Sequence, residues 1–363
     1  MILPWNNTRN AGCSDKGTAE KRIARVALVV AALVFSGSLC AAERLFELKR
    51  VADDVYVGLA LLKNGVISNA GIIILDDGVM VVDTHSQPST ARSLIEQIKG
   101  ITDKPVRYVV NTHFHADHIR GNAAYVQAYP KGMNIISSEA ARRGILQRGI
   151  PRINVELSRQ PKRIERLQAE LASANGAARQ EELKDQLANA QTYLKELQQM
   201  GKAVPTLTLE KSLVLHRKDR TVELLFMGKG HTDGDIVVYL PKEKILMSGD
   251  LIHAWVPYLA DSYPFEWIRT LEAVEKLDFN VIVSGHGDVM QGKEMVTIYH
   301  DYLQDLMSQT AELYGKGFSH QQIRQNIRLD KYQPLLGLDE AGTGLAEALD
   351  SHVAKAYRVI RGG

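Results

Sequence analysis

Thiols are almost absent from this 363-residue chain: its two cysteines, Cys13 and Cys40, both precede residue 43. A folded part that begins near Glu43 therefore has no disulfide and no thiolate metal ligand. An excess of charge of either sign is missing too. Lys and Arg number 44 against 42 Asp and Glu; the first 42 residues hold five of the basic side chains (Arg9, Lys16, Lys21, Arg22, Arg25) and two of the acidic ones (Asp15, Glu20), which leaves 39 against 40. So even a balance gives no electrostatic footprint for a polyanion, and nucleic acid is not an expected partner. A membrane-spanning run is missing as well, since the uncharged stretch from Val26 to Ala42 falls short of the ~20 residues that a helix needs to cross a bilayer.

That stretch has another reading. KRIAR supplies a positive flank, VALVVAALVF an apolar segment and SGSLCAA small residues for cleavage near Ala42, the three parts of an export signal. Residues 1–42 are expected to be a signal peptide. The mature protein would then be periplasmic or secreted, with no stable membrane span after cleavage. An uncleaved anchor is disfavoured by the shortness of the run, and a lipid on Cys40 by Leu39, which stands where a small residue is needed.

Two rounds of strands and helices follow. GIIILDD-G-VMVVDTH reads as two strands joined at Asp76-Asp77-Gly78, then a helix from about Pro88 to Lys99 and the strand VRYVVN; TVELLFM, IVVYL and KILMS, a helix from Phe265 to Leu277 and NVIVS form the second round. Two strand-rich halves with flanking helices predict an α+β sandwich of two sheets clothed by helices. From Pro161 to Met200 the composition changes to charged and Gln-rich, with Ile164, Leu167, Leu171 and Ala174, then Leu183, Leu187, Ala190, Leu194 and Leu197, at three- and four-residue spacing around Asn175-Gly176. This predicts a helical hairpin over 161–200, either a solvated arm packed on itself or a lid or homodimer contact. A helical C-terminal extension is expected over 293–363, leaving 43–292 as the catalytic domain.

What the chain does have is histidine in one place. NTHFHADHIRGN, from Asn111 to Asn122, sets three of eleven histidines and an aspartate within six positions directly behind VRYVV. Three more strand ends carry ligand types: His231 after TVELLFM, Asp250 after KILMS and His286 after NVIVS, each beside glycine. Strand ends on one edge of two packed sheets lie close together, so loops there can close a metal site. His113, His115, Asp117, His118, His231, Asp250 and His286 make seven donors, too many for one tetrahedral ion and suited to two ions that share a carboxylate. Imidazole and carboxylate without sulfur suit two Zn²⁺, with Fe or Mn accepting the same donors.

The HxHxDH run followed by His, Asp and His at strand ends resembles the metallo-β-lactamase superfamily over roughly Phe46 to Gly292, the hairpin excepted. The resemblance implies a four-layer αββα sandwich. It assigns His113, His115 and His231 to one metal, Asp117, His118 and His286 to the other, Asp250 to a bridge, Asp83 to a supporting position behind the ligands, and Asp117 to the catalytic task of orienting hydroxide. Asp250 draws the likeness toward glyoxalase-II-like and lactonase-like dinuclear members, and the absence of thiol excludes the cysteine-ligand lactamases. The motif departs from the family at Arg120, where a glycine is usual; a cation near the site or a narrowed site is the expectation.

The implied activity is hydrolysis of a carboxylic ester, thioester, lactone or amide (β-lactam) bond in a small acyl substrate by metal-bound hydroxide. Two alternatives stay open: a mononuclear iron persulfide-dioxygenase-like oxidoreductase, and a non-catalytic metal-binding or relay protein. His253 and Tyr258 are candidate substrate contacts in or beside AWVPYLADSYPFEW, a loop expected to wall the cleft. His85 is expected near Asp83, and His216, His300, His320 and His352 are expected to be structural.

Overall fold

The computed structural model describes residues 45–62, 67–201, 203–339 and 341–362. The signal segment expected over 1–42 lies outside the described residues. No helix among those described is long and apolar enough to cross a membrane.

The first sheet has seven strands in sequence order, β1 (Phe46–Ala52), β2 (Val55–Ala60), β3 (Ala70–Ile74), β4 (Val79–Val82), β5 (Val106–Val110), β6 (Asn134–Ser138) and β7 (Leu207–Leu209), antiparallel up to β4 and parallel from β4 onward. Between them run α1 (Pro88–Lys99), the single turn α2 (Ala116–Ile119), α3 (Asn122–Ala128), α4 (Glu139–Gly144), α5 (Ile150–Ser173) and α6 (Ala177–Gln199). The second sheet has the order β13-β12-β11-β10-β9-β8, from β8 (Ser212–His216), β9 (Thr221–Leu225), β10 (Val237–Leu240), β11 (Ile245–Gly249), β12 (Val281–Ser284) and β13 (Met290–Gln291), with α7 (Pro264–Glu275) joining β11 to its parallel neighbour β12. The helices α8 (Glu294–Gly315), α9 (His320–Asn326) and α10 (Leu345–Ile360) end the chain.

Side-chain alternation explains the layers. Strand residues point alternately to opposite faces, and here both faces are covered, so the strands read as unbroken apolar runs. Ile73 and Val82 of one sheet and Val238, Leu240 and Met247 of the other meet in the inner layer. Ile72 and Val81 face outward to Leu94, Ile95 and Ile98 of α1 and Tyr125 of α3. Val237, Tyr239 and Leu246 face α7 and the C-terminal helices through Trp267, Leu271, Tyr299, Tyr302, Leu306 and Val353. Helix, sheet, sheet, helix is the expected four-layer order. The tail is helical as expected, but it shares this core rather than adding a separate body.

The hairpin differs from the expectation in its start. Instead of beginning at Pro161, α5 begins at Ile150, runs through Pro161, and follows directly on α4 through a π-helical turn at Ile145–Gly149. Proline removes one intrahelical hydrogen bond and reads as a boundary, yet the arm continues because Ile153 and Leu157 upstream already pack with Tyr193, Leu197 and Met200. Ile164, Leu167, Leu171, Leu183, Leu187 and Ala190 form a second small core toward the tip. The helices α1 and α7 start within a residue of their expected positions, whereas β1, β2, β6, β7 and β8 carry weaker apolar patterns and were not anticipated as strands.

Candidate metal centre

Four chain segments bring the seven donors together at one edge of the sandwich, and the loop after β4 adds Asp83 behind them. Strands β4 and β5 are parallel, and β9 and β11 run the same way in the other sheet with β12 beside them, so each delivers its C-terminal loop to a common place. Asn69 stitches the sheets there: its backbone N–H donates to Gly285 O (2.7 Å) and its side-chain amide to Ser284 O (3.1 Å) and Gly287 O (2.7 Å). Gly285 cannot be larger, because a Cβ would lie 2.1 Å from Asp250 Oδ1.

The donors fall into two groups. His113, His115, His231 and Asp250 form one; Asp117, His118 and His286 form the other. In the first, His231 Nε2 is 2.9 Å from His115 Nδ1, and Asp250 Oδ2 lies 3.5 Å from His231 Nε2 and 3.6 Å from His113 Nε2. In the second, Asp117 Oδ2 lies 3.2 Å from His118 Nε2 and 3.3 Å from His286 Nε2. Asp250 reaches this group too, with Oδ1 at 3.3 Å from His118 Nε2 and Oδ2 at 3.2 Å from His286 Nε2. One carboxylate thus faces both groups.

The donor set fits metal ions. Three of its buried atoms, His113 Nε2, His118 Nε2 and Asp250 Oδ1, have no hydrogen-bond partner, an arrangement that costs free energy unless something electrophilic completes it. Burial, then the neighbouring imidazoles, hold His113 and His231 well below the ordinary imidazole range. Burial also opposes charge on His118 and His286, but Asp250 foremost and then Asp117 outweigh it and raise both, His286 to about 10. Against the same burial penalty, His118 and His286 keep the two carboxylates ionised.

The far sides of four of the five rings are held, His231 Nδ1 being without a partner. His118 Nδ1 donates to Asp83 Oδ2 (2.9 Å), His286 Nδ1 to Ile67 O (2.8 Å) and His115 Nε2 to Asp261 Oδ2 (3.1 Å). Asp83 also accepts from Thr112 N and Thr112 Oγ1, both at 2.8 Å, and Thr112 Oγ1 lies 3.0 Å from His113 Nδ1. Such partners set which nitrogen faces the metal. Asp83 and His85 both have positive φ, 66° and 70°. Backbone strain of this kind in non-glycine residues is typical of functional sites. Asp261 had no signal in the sequence: it sits alone in a loop, and only folding sets it beside His115. Arg148, from the π-helical turn, reaches the same carboxylate at 3.5 Å and Asp233 at 3.2 Å.

A cleft of about 700 Å³ opens on the donors. Trp255, Val256, Pro257 and Tyr258 line it, as expected of that loop, and so does α10 of the helical tail, which carried no sequence signal of a place at the cleft. Tyr258 is 55% exposed, with its ring 5.7 Å from that of His115 and 6.1 Å from that of His231. His253 is buried at the cleft; its Nδ1 lies 2.9 Å from Tyr299 Oη, whose proton goes to Trp255 O (2.7 Å), and burial lowers its pKa to about 3. His85 is buried against Phe46 and donates to Ser68 O (2.9 Å). His216, His300 and His320 lie away from the cleft, whereas His352 is buried beneath it beside Tyr302.

Arg120 corrects an expectation. It places no cation in the site; its guanidinium turns to the hairpin, paired with Glu156 of α5 (2.6 Å) and donating to Tyr193 Oη of α6 (3.2 Å), while Tyr193 also donates to Glu156 (2.5 Å). The usual glycine has given way to a residue that fastens the insert. A second fastening is buried Glu196 of α6, which accepts from Ser89 N (2.9 Å) and Arg92 (2.6 Å) on α1.

Comparisons with known proteins agree with this geometry. The metallo-beta-lactamase superfamily matches residues 64–138 and 190–286, and the gap holds α4, α5 and the first half of α6. Among curated relatives, the linear primary-alkylsulfatase of a Pseudomonas species is 24% identical over 280 residues, 70% of this chain and 48% of that protein. The type 2 metallo-beta-lactamase of Bacillus cereus is 28% identical over 240 residues, 64% of this chain and 70% of the lactamase. The chain thus spans about half the length of the alkylsulfatase. Among solved structures, the metallo-beta-lactamase from Pontibacter korlensis superposes with a TM-score of 0.51 at 20% identity, covering 71% of this chain and 99% of its own. The lactamase FIM-1 from Pseudomonas aeruginosa gives 0.51 at 21%, covering 71% and 95%. A shared fold, and a sequence match that resumes beyond the hairpin, establish that the chain belongs to the metallo-beta-lactamase superfamily.

Proposed function

We propose that the protein is an exported dinuclear zinc hydrolase that cleaves a carboxylic ester, thioester, lactone or amide bond of a small molecule. The observation that carries this reading is Asp250, one carboxylate facing two groups of donors, with His113 Nε2, His118 Nε2 and Asp250 Oδ1 buried there without a hydrogen-bond partner. His113, His115 and His231 would hold one ion, Asp117, His118 and His286 the other. Such a pair of ions supplies Lewis acidity and lowers the pKa of water toward neutrality. Asp117, ionised and bordering the cleft, accepts a proton of the attacking water and orients it. Tyr258 keeps its proton, because burial and then Asp261 raise its pKa, and its hydroxyl at the cleft can donate to a developing oxyanion. Trp255, Val256 and Leu259 exclude water around an apolar substrate body.

The test is Asp250→Ala with elemental analysis and turnover of a panel of β-lactams, lactones and thioesters. Two zinc per wild-type chain, with loss of metal and of turnover in the variant, supports the reading; a variant with full metal and full activity overturns it. One iron per chain with oxygen consumption would identify a dioxygenase, and a metal-loaded chain with no turnover of any substrate a binding protein. One finding favours a second reading: the likeness to a linear primary-alkylsulfatase over 70% of this chain points to sulfate esters, and decyl sulfate in the same panel decides between them. Export is tested by N-terminal sequencing, which should begin near Glu43; an intact Met1 in the cytosol would refute it.

A further inference from the structure

The face of α10 toward the cleft carries Glu347, Ser351, Lys355 and Arg358, at helical spacing, and α5 adds Arg152 to the same lining. The acidic groups of this wall are already engaged. Asp261 holds His115 and Arg148, Asp339 accepts from Ala341 N (2.9 Å) and Thr343 N (2.7 Å), and Glu347 accepts from Gly344 N at the start of α10 (3.1 Å). The cations are not engaged in this way. Among the described residues Arg152 and Arg358 have neither ion pair nor hydrogen bond, and the Lys355 ammonium has only the carbonyl of Ala260, at 3.1 Å. Burial and then Arg358 push Lys355 below the usual lysine range, with Asp261 opposing the shift, as expected of a partly buried cation crowded by another.

We infer that Lys355 and Arg358 of α10, with Arg152 of α5, form a subsite for an oxyanion carried by the substrate away from the bond that is broken. This deepens, and rests on, the reading of the cleft as the substrate site of a hydrolase. The residues belong to segments outside the family match, so the subsite is a feature of this chain's insert and tail. The substrate class is then an amphiphile: a cleavable acyl bond, an apolar body against Trp255 and Leu259, and a carboxylate or sulfate on the α10 side.

The experiment compares two esters of equal length, 4-nitrophenyl hydrogen adipate, which carries a distal carboxylate, and 4-nitrophenyl hexanoate, which does not. In the metal-loaded protein the ratio of kcat/KM for the anionic over the neutral ester should fall about tenfold in Lys355→Met/Arg358→Gln, the size expected for loss of charge-assisted hydrogen bonds. The same ratio should fall with added salt. Arg358→Gln alone, at an exposed position, should show a smaller fall if the double variant does not fold. Decanoate and decyl sulfate binding, followed by calorimetry, gives a readout independent of turnover and shows which oxyanion is preferred. An unchanged ester ratio together with unchanged binding of both amphiphiles overturns the subsite. No turnover of either ester, with amphiphile binding weakened in the variant, overturns the hydrolase reading and leaves the subsite standing.

Discussion

His115 takes its partner, Asp261, from a loop far along the chain, and the contact does two things: it fixes the Nε2–H tautomer, so that Nδ1 faces the other donors, and it ties a candidate metal ligand to the cleft wall. Asp261→Asn keeps the shape and removes the charge. Zinc affinity, measured against a competing chelator, should fall about 10- to 100-fold; an unchanged affinity would make Asp261 a mere neighbour. His352 is a residue of another kind, held neutral by burial, which lowers its pKa to about 4. In the unfolded chain the ring takes up its proton near 6.5. Above about pH 6.5 neither state is protonated and the stabilisation is complete; between there and pH 4 only the unfolded chain binds the proton, so stability falls with pH, by about 1.4 kcal/mol per unit. His352→Gln should therefore show a shallower loss of stability over that range in urea titrations. An identical slope would show that His352 is not the titrating group.

At the scale of elements, the hairpin of α5 and α6 is joined to the metal loop by Arg120 and to α1 by Glu196. Arg120 is largely buried in a bidentate pair with Glu156, and its loss leaves Glu156 and Tyr193 without their cation. Arg120→Ala should lower stability by about 1–3 kcal/mol in thermal or urea unfolding and raise protease sensitivity within α5 and α6. Cleavage at the same rate as wild type would mean that the small hairpin cores suffice to hold the arm. Replacing residues 162–199 with a short Gly-Ser link is the complementary test. A change in KM or substrate preference with full metal content fits a lid, and unchanged kinetics across the panel fits a solvated arm.

At the scale of the molecule, the C-terminal helices complete the outer layer of the second sheet. Tyr299, Tyr302, Leu306 and Val353 are buried against Trp267 and Leu271, and burying side chains of this size contributes about 1.5–3 kcal/mol each. A chain that ends at Gly292 should expose this face. It is expected to be insoluble, or to bind hydrophobic dye without a cooperative thermal transition. A soluble truncated chain with a sharp melt would show that the first 292 residues form a core of their own.

The candidate metal ligands were legible in the sequence because a metal demands particular side chains, and a strand end followed by glycine is a local pattern. The seven donors, the apolar runs of β3, β4, β5, β10, β11 and β12, and the helices α1 and α7 all follow from chemistry within a few residues, whereas Asp83 was placed by the family resemblance. The start of α5 was not legible, because proline's local preference at 161 is overridden by packing between residues 40 positions apart. Nor were Asp261, the turning of Arg120 away from the site, or the cationic face of α10. Each is an ordinary charged residue whose meaning depends on what lies across space from it. The sequence alone determined which atoms could bind metal; only the tertiary structure decided which charges would find partners and which would be left facing the cleft, since Coulomb energies depend on distances that folding sets.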